Sequence, residues 1–140
     1  MSVYVVDASV AVKWFLLEVH SEAAFRLRNP SYSLHGPALF TLEFGNIVCK
    51  KIRRGEITPD EGLVMLQDMR RIPMQHHPNE VLFPSAFALA NQTRRSLYDC
   101  LYLTLAVRLD GELVTADRKL YDALQADSVS KNLCWVEDLP

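Results

Sequence analysis

Short apolar runs, each followed by a helical pattern, constrain the fold of this chain more than any other feature of its sequence. Residues 3–6 (Val-Tyr-Val-Val) form the first run, and their β-branched content is typical of a strand buried on both faces. Further strands are predicted at 32–35, 73–77, 113–115 and 134–136. Strands that alternate with helices predict an α/β fold, here a three-layer α/β/α sandwich around a mainly parallel sheet of about five strands.

Capping and helix-breaking residues predict where the longer helices begin and end. A helix over 38–54 is closed by Gly55, and Thr58 begins the next helix, with a proline and acids in its first turn. A further helix is predicted over 80–92, with Pro84 placed in its first turn. The loops between these helices are short, and no segment has the composition of a linker.

Composition limits the class of protein. The 140 residues carry 15 basic and 17 acidic side chains, which gives a net charge of −2. They suffice for one core and a single domain over residues 1–140.

The three cysteines form no C-x-x-C pair, which argues against a zinc knuckle or a disulfide framework and fits a reducing cytosol. No apolar stretch is long enough to span a membrane, so a cytoplasmic location is expected. Basic residues in adjacent pairs permit RNA binding without predicting it.

Glu43 occupies a position where a core-facing side chain should be apolar. Its neighbours Leu39, Phe40 and Ile47 lie one turn away and form the apolar stripe of the predicted helix. A buried glutamate is costly unless it is paired or bound to a cation. No basic residue stands three or four positions away, which favours a functional role; a salt bridge from another element is the structural alternative.

Three aspartates stand at the boundaries of predicted elements. Asp7 follows the first strand, Asp117 follows the strand over 113–115, and Asp99 lies near the start of an apolar helix predicted over 96–109. Each of them could serve as a helix cap. Because ligands of parallel sheets bind at the carboxyl ends of strands, the two strand-end aspartates carry more weight together than separately.

The four carboxylates are either separate structural residues or one cluster in a cleft. A cluster could not stay ionised unaided, since like charges raise one another's pKa. A divalent cation removes that penalty, and an all-oxygen ligand set selects Mg²⁺ or Mn²⁺ over zinc. Histidines offer no competing metal site, because His76 and His77 point to opposite faces of a predicted strand and His20 and His35 are isolated.

Four segments together resemble the successive motifs of a PIN domain, and the resemblance extends over nearly the whole chain. A chain this short is most similar to the VapC toxins of bacterial and archaeal toxin–antitoxin pairs. Cys100 and Thr104 occupy positions where small residues are usual in the family, which bears on packing more than on chemistry. The four segments are VVDAS (5–9), PALFTLEFGN (37–46), LYDCLYLTLA (97–106) and LVTADRKL (113–120).

The resemblance implies a PIN-like nuclease domain, a ribonuclease that depends on Mg²⁺ or Mn²⁺ and hydrolyses RNA phosphodiester bonds as the toxin of a type II pair. It also implies that the first and fourth strands are neighbours, that the chain forms a homodimer, and that a VapB-like antitoxin inhibits it. The implied acidic quartet consists of Asp7, Glu43, Asp99 and Asp117, with Asp7 and Asp99 as the primary metal ligands. The residues implied to hold metal-bound water or to orient the carboxylates are Ser9, Asn46 and Thr115.

Arg94 and Arg95 stand just before Asp99 and are candidates for holding RNA phosphates, although a solvated helix terminus explains them equally well.

Two other functions compete with the ribonuclease. A catalytically idle PIN-like module for RNA binding or assembly should have lost at least one acid, yet all four are present. A metal-dependent phosphatase usually carries D-x-D or D-D at the end of its first strand, where this chain reads Asp-Ala-Ser.

Overall fold

The computed structural model describes residues 2–140 and contains a sheet of five parallel strands. The strands lie side by side in the order β3-β2-β1-β4-β5. The predicted α/β sandwich is therefore confirmed, with strand boundaries shifted by one or two residues at most sites. The strands are β1 (Val3–Val6), β2 (Ser33–Pro37), β3 (Gln75–His77), β4 (Glu112–Thr115) and β5 (Leu133–Trp135).

Helices fill the connections between the strands. Short 3-10 helices lie at Phe25–Arg28, Ser128–Asn132 and Val136–Asp138. The α-helices are α1 (Ala8–Val12), α2 (Ser21–Ala24), α3 (Leu39–Arg53), α4 (Pro59–Arg71), α5 (Asn79–Thr93), α6 (Leu97–Arg108) and α7 (Arg118–Ala123).

The helices cover both faces of the sheet. The connection from β1 to β2 crosses the sheet in the direction opposite to the connection from β3 to β4. Because such connections are right-handed, α1 and α2 lie on one face while α5 and α6 lie on the other. Consecutive buried residues in β1 and β4 agree with this, since successive strand side chains point to opposite faces. Helix α6 is the most deeply buried, with every side chain from 100 to 106 inside the core.

Strands β1 and β4 are neighbours, as the family resemblance implied, and their register places Val6 opposite Val114. Asp7 and Asp117 therefore follow two adjacent strands at the same edge of the sheet. Strand β2 pairs with the other side of β1 and leads directly into α3, which carries Glu43. Sheet topology alone thus gathers three of the four acids at one edge.

The predicted boundaries of α3 and α4 are confirmed in detail. Gly55 follows α3 with φ of 73°, the left-handed conformation that glycine adopts at low cost. Thr58 caps α4 by accepting a hydrogen bond from the Glu61 N–H at 3.1 Å, and the Glu61 carboxylate accepts one from the Thr58 N–H at 2.9 Å.

The placement of Pro84 in the first turn of its helix is wrong. Helix α5 begins at Asn79, so Pro84 is its sixth residue and lies in the helix interior. A proline there leaves the carbonyl of Glu80 without an intrahelical partner. Both residues are exposed, so water can satisfy that carbonyl, and the helix continues to Thr93.

Cys49, Cys100 and Cys134 are free thiols, as the absence of paired spacings predicted. Between residues 2 and 140, no helix is both long enough and apolar enough to cross a membrane.

Candidate active site

Asp7 connects β1 to α1 and carries the most perturbed carboxylate of the site. It caps α1 by accepting hydrogen bonds from the Ser9 N–H at 3.4 Å and the Ser9 hydroxyl at 3.0 Å. Burial raises the pKa of Asp7 to about 6; the Ser9 hydrogen bonds oppose that shift, and the charges of Glu43 and Asp99 add to it. Within the described chain, no basic side chain lies at ion-pair distance from this carboxylate.

Glu43 projects from α3 toward the same place. Burial raises its pKa, the nearby Tyr102 hydroxyl lowers it, and the charge of Asp99 raises it further. Tyr102, from α6, is only 4% exposed, and among residues 2–140 its hydroxyl has no partner that meets full hydrogen-bond geometry. Burial and the charges of Asp7 and Glu43 raise the pKa of Tyr102, so this side chain stays a neutral hydroxyl beside two acids.

Asp99 lies in the first turn of α6, whose cap is the Ser96 hydroxyl accepting from the Asp99 N–H at 3.0 Å. Burial raises the pKa of Asp99, Arg95 and Ser96 lower it, and the charge of Asp117 raises it. The Arg95 guanidinium lies 3.6 Å from the Asp99 carboxylate, and its Nε is buried without a partner in the described chain. Arg95 thus neutralises part of the charge of one acid of the quartet.

Asp117 follows β4 and caps α7, accepting a hydrogen bond from the Leu120 N–H at 3.1 Å. The hydroxyl of the buried Thr115 accepts from the Asp117 N–H at 3.0 Å and so fixes the backbone from which this carboxylate projects. Asp117 is exposed, unlike Asp7. Asp117 can therefore cap α7 and line the cleft at the same time.

Two adjoining cavities contain most of the predicted residues. A cavity of about 250 Å³ is lined by Asp7, Ser9, Glu43 and Asn46. A second cavity of about 350 Å³ shares Ser9 and Ile47 with the first and extends to Asp117. The acids lie close enough to raise one another's pKa, yet among residues 2–140 no three His, Cys, Asp or Glu side chains are grouped closely enough to hold one ion as they stand.

The supporting residues are only partly placed as predicted. Ser9 orients Asp7 directly, whereas Thr115 acts on the backbone of Asp117 rather than on its carboxylate. Asn46 is exposed and faces the same cavity as Glu43. Arg94 is exposed, with a left-handed φ of 60° at the end of α5.

Sequence reasoning missed several residues around the site. Tyr102 follows Asp99 by three positions, a spacing that puts both on one helix face, but an apolar neighbourhood marked it as core. Lys50 lines the cavity of Asp7, and Lys13 and Lys51 line the neighbouring one. Lys51 follows Glu43 by eight residues, two turns along the same face of α3, and this was the available signal.

Comparison with known proteins agrees with this geometry. The PIN domain family model matches residues 4–124. Ribonuclease VapC3 of Pyrobaculum aerophilum is 33% identical over 124 residues, which cover 87% of this chain and 95% of that protein. The crystal structure of PAE2754 from Pyrobaculum aerophilum has a TM-score of 0.66 at 21% identity, covering 87% of this chain and 79% of the other. A toxin–antitoxin complex from Klebsiella pneumoniae has a TM-score of 0.63 at 12% identity, covering 97% and 98%.

The sequence match spans all four acidic motifs, and the structural matches show the same fold. Strands β1 and β4 bring the first and last motifs together, and α3 and α6 carry the other two. From the motifs, the topology and these likenesses together, the chain belongs to the PIN domain family and is similar to its VapC members.

Proposed function

We propose that this chain is a metal-dependent endoribonuclease that hydrolyses RNA phosphodiester bonds. The observation that carries the proposal is the partly buried carboxylate of Asp7, which lies near two further acids and has no cationic partner in the described chain. Such a group is costly to leave ionised unless a cation joins it. An all-oxygen environment suits Mg²⁺, with Mn²⁺ as a substitute.

The donor chemistry of the site fits such an ion. Asp7 and Asp99 would be its primary ligands, and Glu43 and Asp117 would complete the site or position the water. No three of the described acids are grouped at ligand distance, so direct ligation by several of them would need their side chains to move closer together. A bound divalent cation would lower the pKa of a water molecule and neutralise developing charge on the phosphate.

The chain's own groups then have separate tasks. Ser9 holds the Asp7 carboxylate in its orientation through two hydrogen bonds. Glu43, whose pKa burial raises above its ordinary value, is thereby a stronger base for the proton of the attacking water. The neutral Tyr102 hydroxyl beside Glu43 supplies a donor for its carboxylate. Arg94, exposed at the end of α5, and Arg95, which lies 3.6 Å from Asp99, are proposed to contact RNA phosphates.

The biological role follows by similarity. The relative from Pyrobaculum aerophilum is named a ribonuclease VapC, and a structure with the same fold is a toxin–antitoxin complex. We infer that this chain is likewise the toxin of such a pair, that a VapB-like antitoxin inhibits it, and that it acts as a cytoplasmic homodimer. A catalytically idle binding module and a phosphatase are the alternatives that the experiment must separate.

Asp99→Asn is expected to abolish Mg²⁺-dependent cleavage of single-stranded RNA while leaving the fold intact. The amide keeps the size of the side chain but loses the charge that a divalent ion requires. The measurement is cleavage of an end-labelled RNA with Mg²⁺ or EDTA, alongside hydrolysis of a small phosphomonoester. Asp110→Asn is the matched control, because Asp110 is exposed in the turn two residues before β4, at the opposite end of that strand from Asp117.

Cleavage by the wild type that EDTA blocks and Asp99→Asn abolishes would support the ribonuclease. RNA binding without cleavage would support the idle module, and hydrolysis of the monoester alone would support the phosphatase. Full RNA cleavage by Asp99→Asn would show that the assignment of Asp99 is wrong.

A further inference from the structure

The cavity of about 350 Å³ beside the acidic site has a different chemical character. It is lined by Lys13 from the end of α1, Glu18 from the following loop and Lys51 from α3, together with Ser9 and Asp117. Through Ser9 it is continuous with the cavity that contains Asp7 and Glu43. Two lysines therefore face the same cleft as the acids, from one side.

The two lysines are held by a single glutamate. One carboxylate oxygen of Glu18 lies 3.3 Å from the Lys13 ammonium, and the other lies 2.9 Å from the Lys51 ammonium. The side chains of Lys13 and Lys51 are only 12% and 16% exposed. Lys51 also lies 3.5 Å from Glu56, which is half-exposed and lines neither cavity. Within the cavity, the two lysines thus face two carboxylates: that of Glu18, which both contact, and that of Asp117, which pairs with neither of them in the described chain.

The pKa values of Glu18 and Lys51 are both shifted away from neutral pH. Burial raises the pKa of Glu18, but the hydrogen bonds and charges of Lys51 and Lys13 outweigh it and leave the pKa below its ordinary value. The hydrogen bond from Lys51 to Glu18 is the main reason that the pKa of Lys51 is raised. Glu18 and Lys51 are therefore both ionised at neutral pH, and the contact between them is a charged hydrogen bond.

A structural role alone explains this cluster poorly. Partly buried ion pairs lose hydration, and apolar side chains of similar size would join α1 to α3 at least as well. Two ammonium groups that share the two oxygens of one carboxylate match instead the two non-bridging oxygens of a phosphodiester. Lysine is a common phosphate ligand of this point-charge kind.

The position of Lys51 relative to Glu43 indicates which phosphate of an RNA strand it could bind. Lys51 lies two turns from Glu43 along α3, about 12 Å at the rise of an α-helix. The ammonium of Lys51 is held by Glu18 in the neighbouring cavity, and Lys51 does not line the cavity that contains Glu43. This position suits a neighbouring phosphate of the same strand.

We propose that Lys13 and Lys51 form a binding site for an RNA backbone phosphate that flanks the cleaved bond, and that Glu18 holds the two ammonium groups in place until the phosphate replaces it as their partner. This inference rests on the proposed ribonuclease function and adds to it the path that the RNA takes from the acids toward the end of α1. Glu18 is then a positioning residue that competes with RNA, and its removal should strengthen binding.

The test measures how tightly the protein binds a fluorescent single-stranded RNA, followed by fluorescence anisotropy in Mg²⁺ at several salt concentrations. All variants are made in the full chain carrying Asp99→Asn, so that the RNA is not cleaved during the measurement. Lys13→Gln and Lys51→Gln should each weaken binding about tenfold and flatten the salt dependence by about 0.7 per lysine. Lys51→Arg should restore most of the affinity, because it restores the charge. Glu18→Gln should strengthen binding several-fold. Lys131→Gln, exposed before β5 at the opposite edge of the sheet, is the control.

Each outcome decides the proposal. If the two lysine variants are folded and bind like Lys131→Gln, the phosphate site is wrong. If Glu18→Gln lowers the melting temperature but leaves the affinity for RNA unchanged, the cluster of Lys13, Glu18 and Lys51 only stabilises the fold and the proposal is wrong. Failure of the proposed function is distinguishable, because it would appear as wild-type protein that does not cleave RNA with Mg²⁺, whatever the lysine variants do to binding.

Discussion

Asp7→Asn should make the metal-free protein more stable and at the same time inactive. Burial and two neighbouring acids raise the pKa of Asp7 from 3.8 to about 6, so at pH 7 the fold holds an unfavourable charge. A shift of about two units corresponds to about 3 kcal/mol, an upper limit because Asp7 is partly exposed to the cleft. The amide can keep both contacts with Ser9, accepting from its N–H and donating to its hydroxyl.

The loss of activity should be at least about a hundredfold, because residues that merely support metal ligands already cost about 10- to 100-fold when they are replaced. Chemical denaturation in EDTA measures stability, and RNA cleavage in Mg²⁺ measures activity. Asp110→Asn should change neither by much, since asparagine tolerates the left-handed φ of 52° at that exposed position. An Asp7→Asn protein that is destabilised and active would contradict both halves of the prediction.

Acidification should stabilise the metal-free wild type around Asp7. The folded pKa of about 6 exceeds the unfolded value of 3.8, so between these values the native state binds more protons than the unfolded state. The contribution of Asp7 to unfolding free energy therefore falls as pH rises from about 4 to about 6 and stays low above that. Glu43 and Asp99, whose pKa values burial also raises, act in the same direction.

Mg²⁺ or Mn²⁺ should reverse this loss at neutral pH. An ion at about one hundred times its dissociation constant stabilises the native state by about 2.7 kcal/mol. Denaturation curves from pH 4 to pH 7, with EDTA and with Mn²⁺, measure both effects. The difference between the wild type and Asp7→Asn isolates the contribution of Asp7 from the other carboxylates. A difference that does not vary with pH would show that Asp7 has an ordinary pKa.

Much of the site follows from local patterns in the sequence. An acid just after a run rich in β-branched residues, directly at residue 7 and one residue later at 117, predicts a carboxylate at the carboxyl end of a parallel strand, and the two strands are neighbours. Glu43 within an apolar stripe predicts a carboxylate turned inward, and its raised pKa agrees. Positions of this kind are predictable because short-range periodicity determines which face a side chain occupies.

Contacts between distant segments were not predictable in the same way. His35 was expected to be isolated, yet the pairing of β2 with β3 brings its Nδ1 within 3.0 Å of Nε2 of His77. Glu18 meets Lys51 across 33 positions of sequence, which no periodic pattern encodes. The Arg95–Asp99 pair, by contrast, had a visible signal, the four-residue spacing across one helical turn.

The most direct test of whether residues far apart in the chain share one ion is a Mn²⁺ binding measurement. Electron paramagnetic resonance follows the binding to the wild type and to single amide variants of the four acids. Saturable binding is expected in the wild type and in Asp110→Asn. Affinity should fall at least about tenfold in each of the four single variants, Asp7→Asn, Glu43→Gln, Asp99→Asn and Asp117→Asn. Four variants that bind Mn²⁺ as tightly as the wild type would show that these carboxylates do not form a metal site.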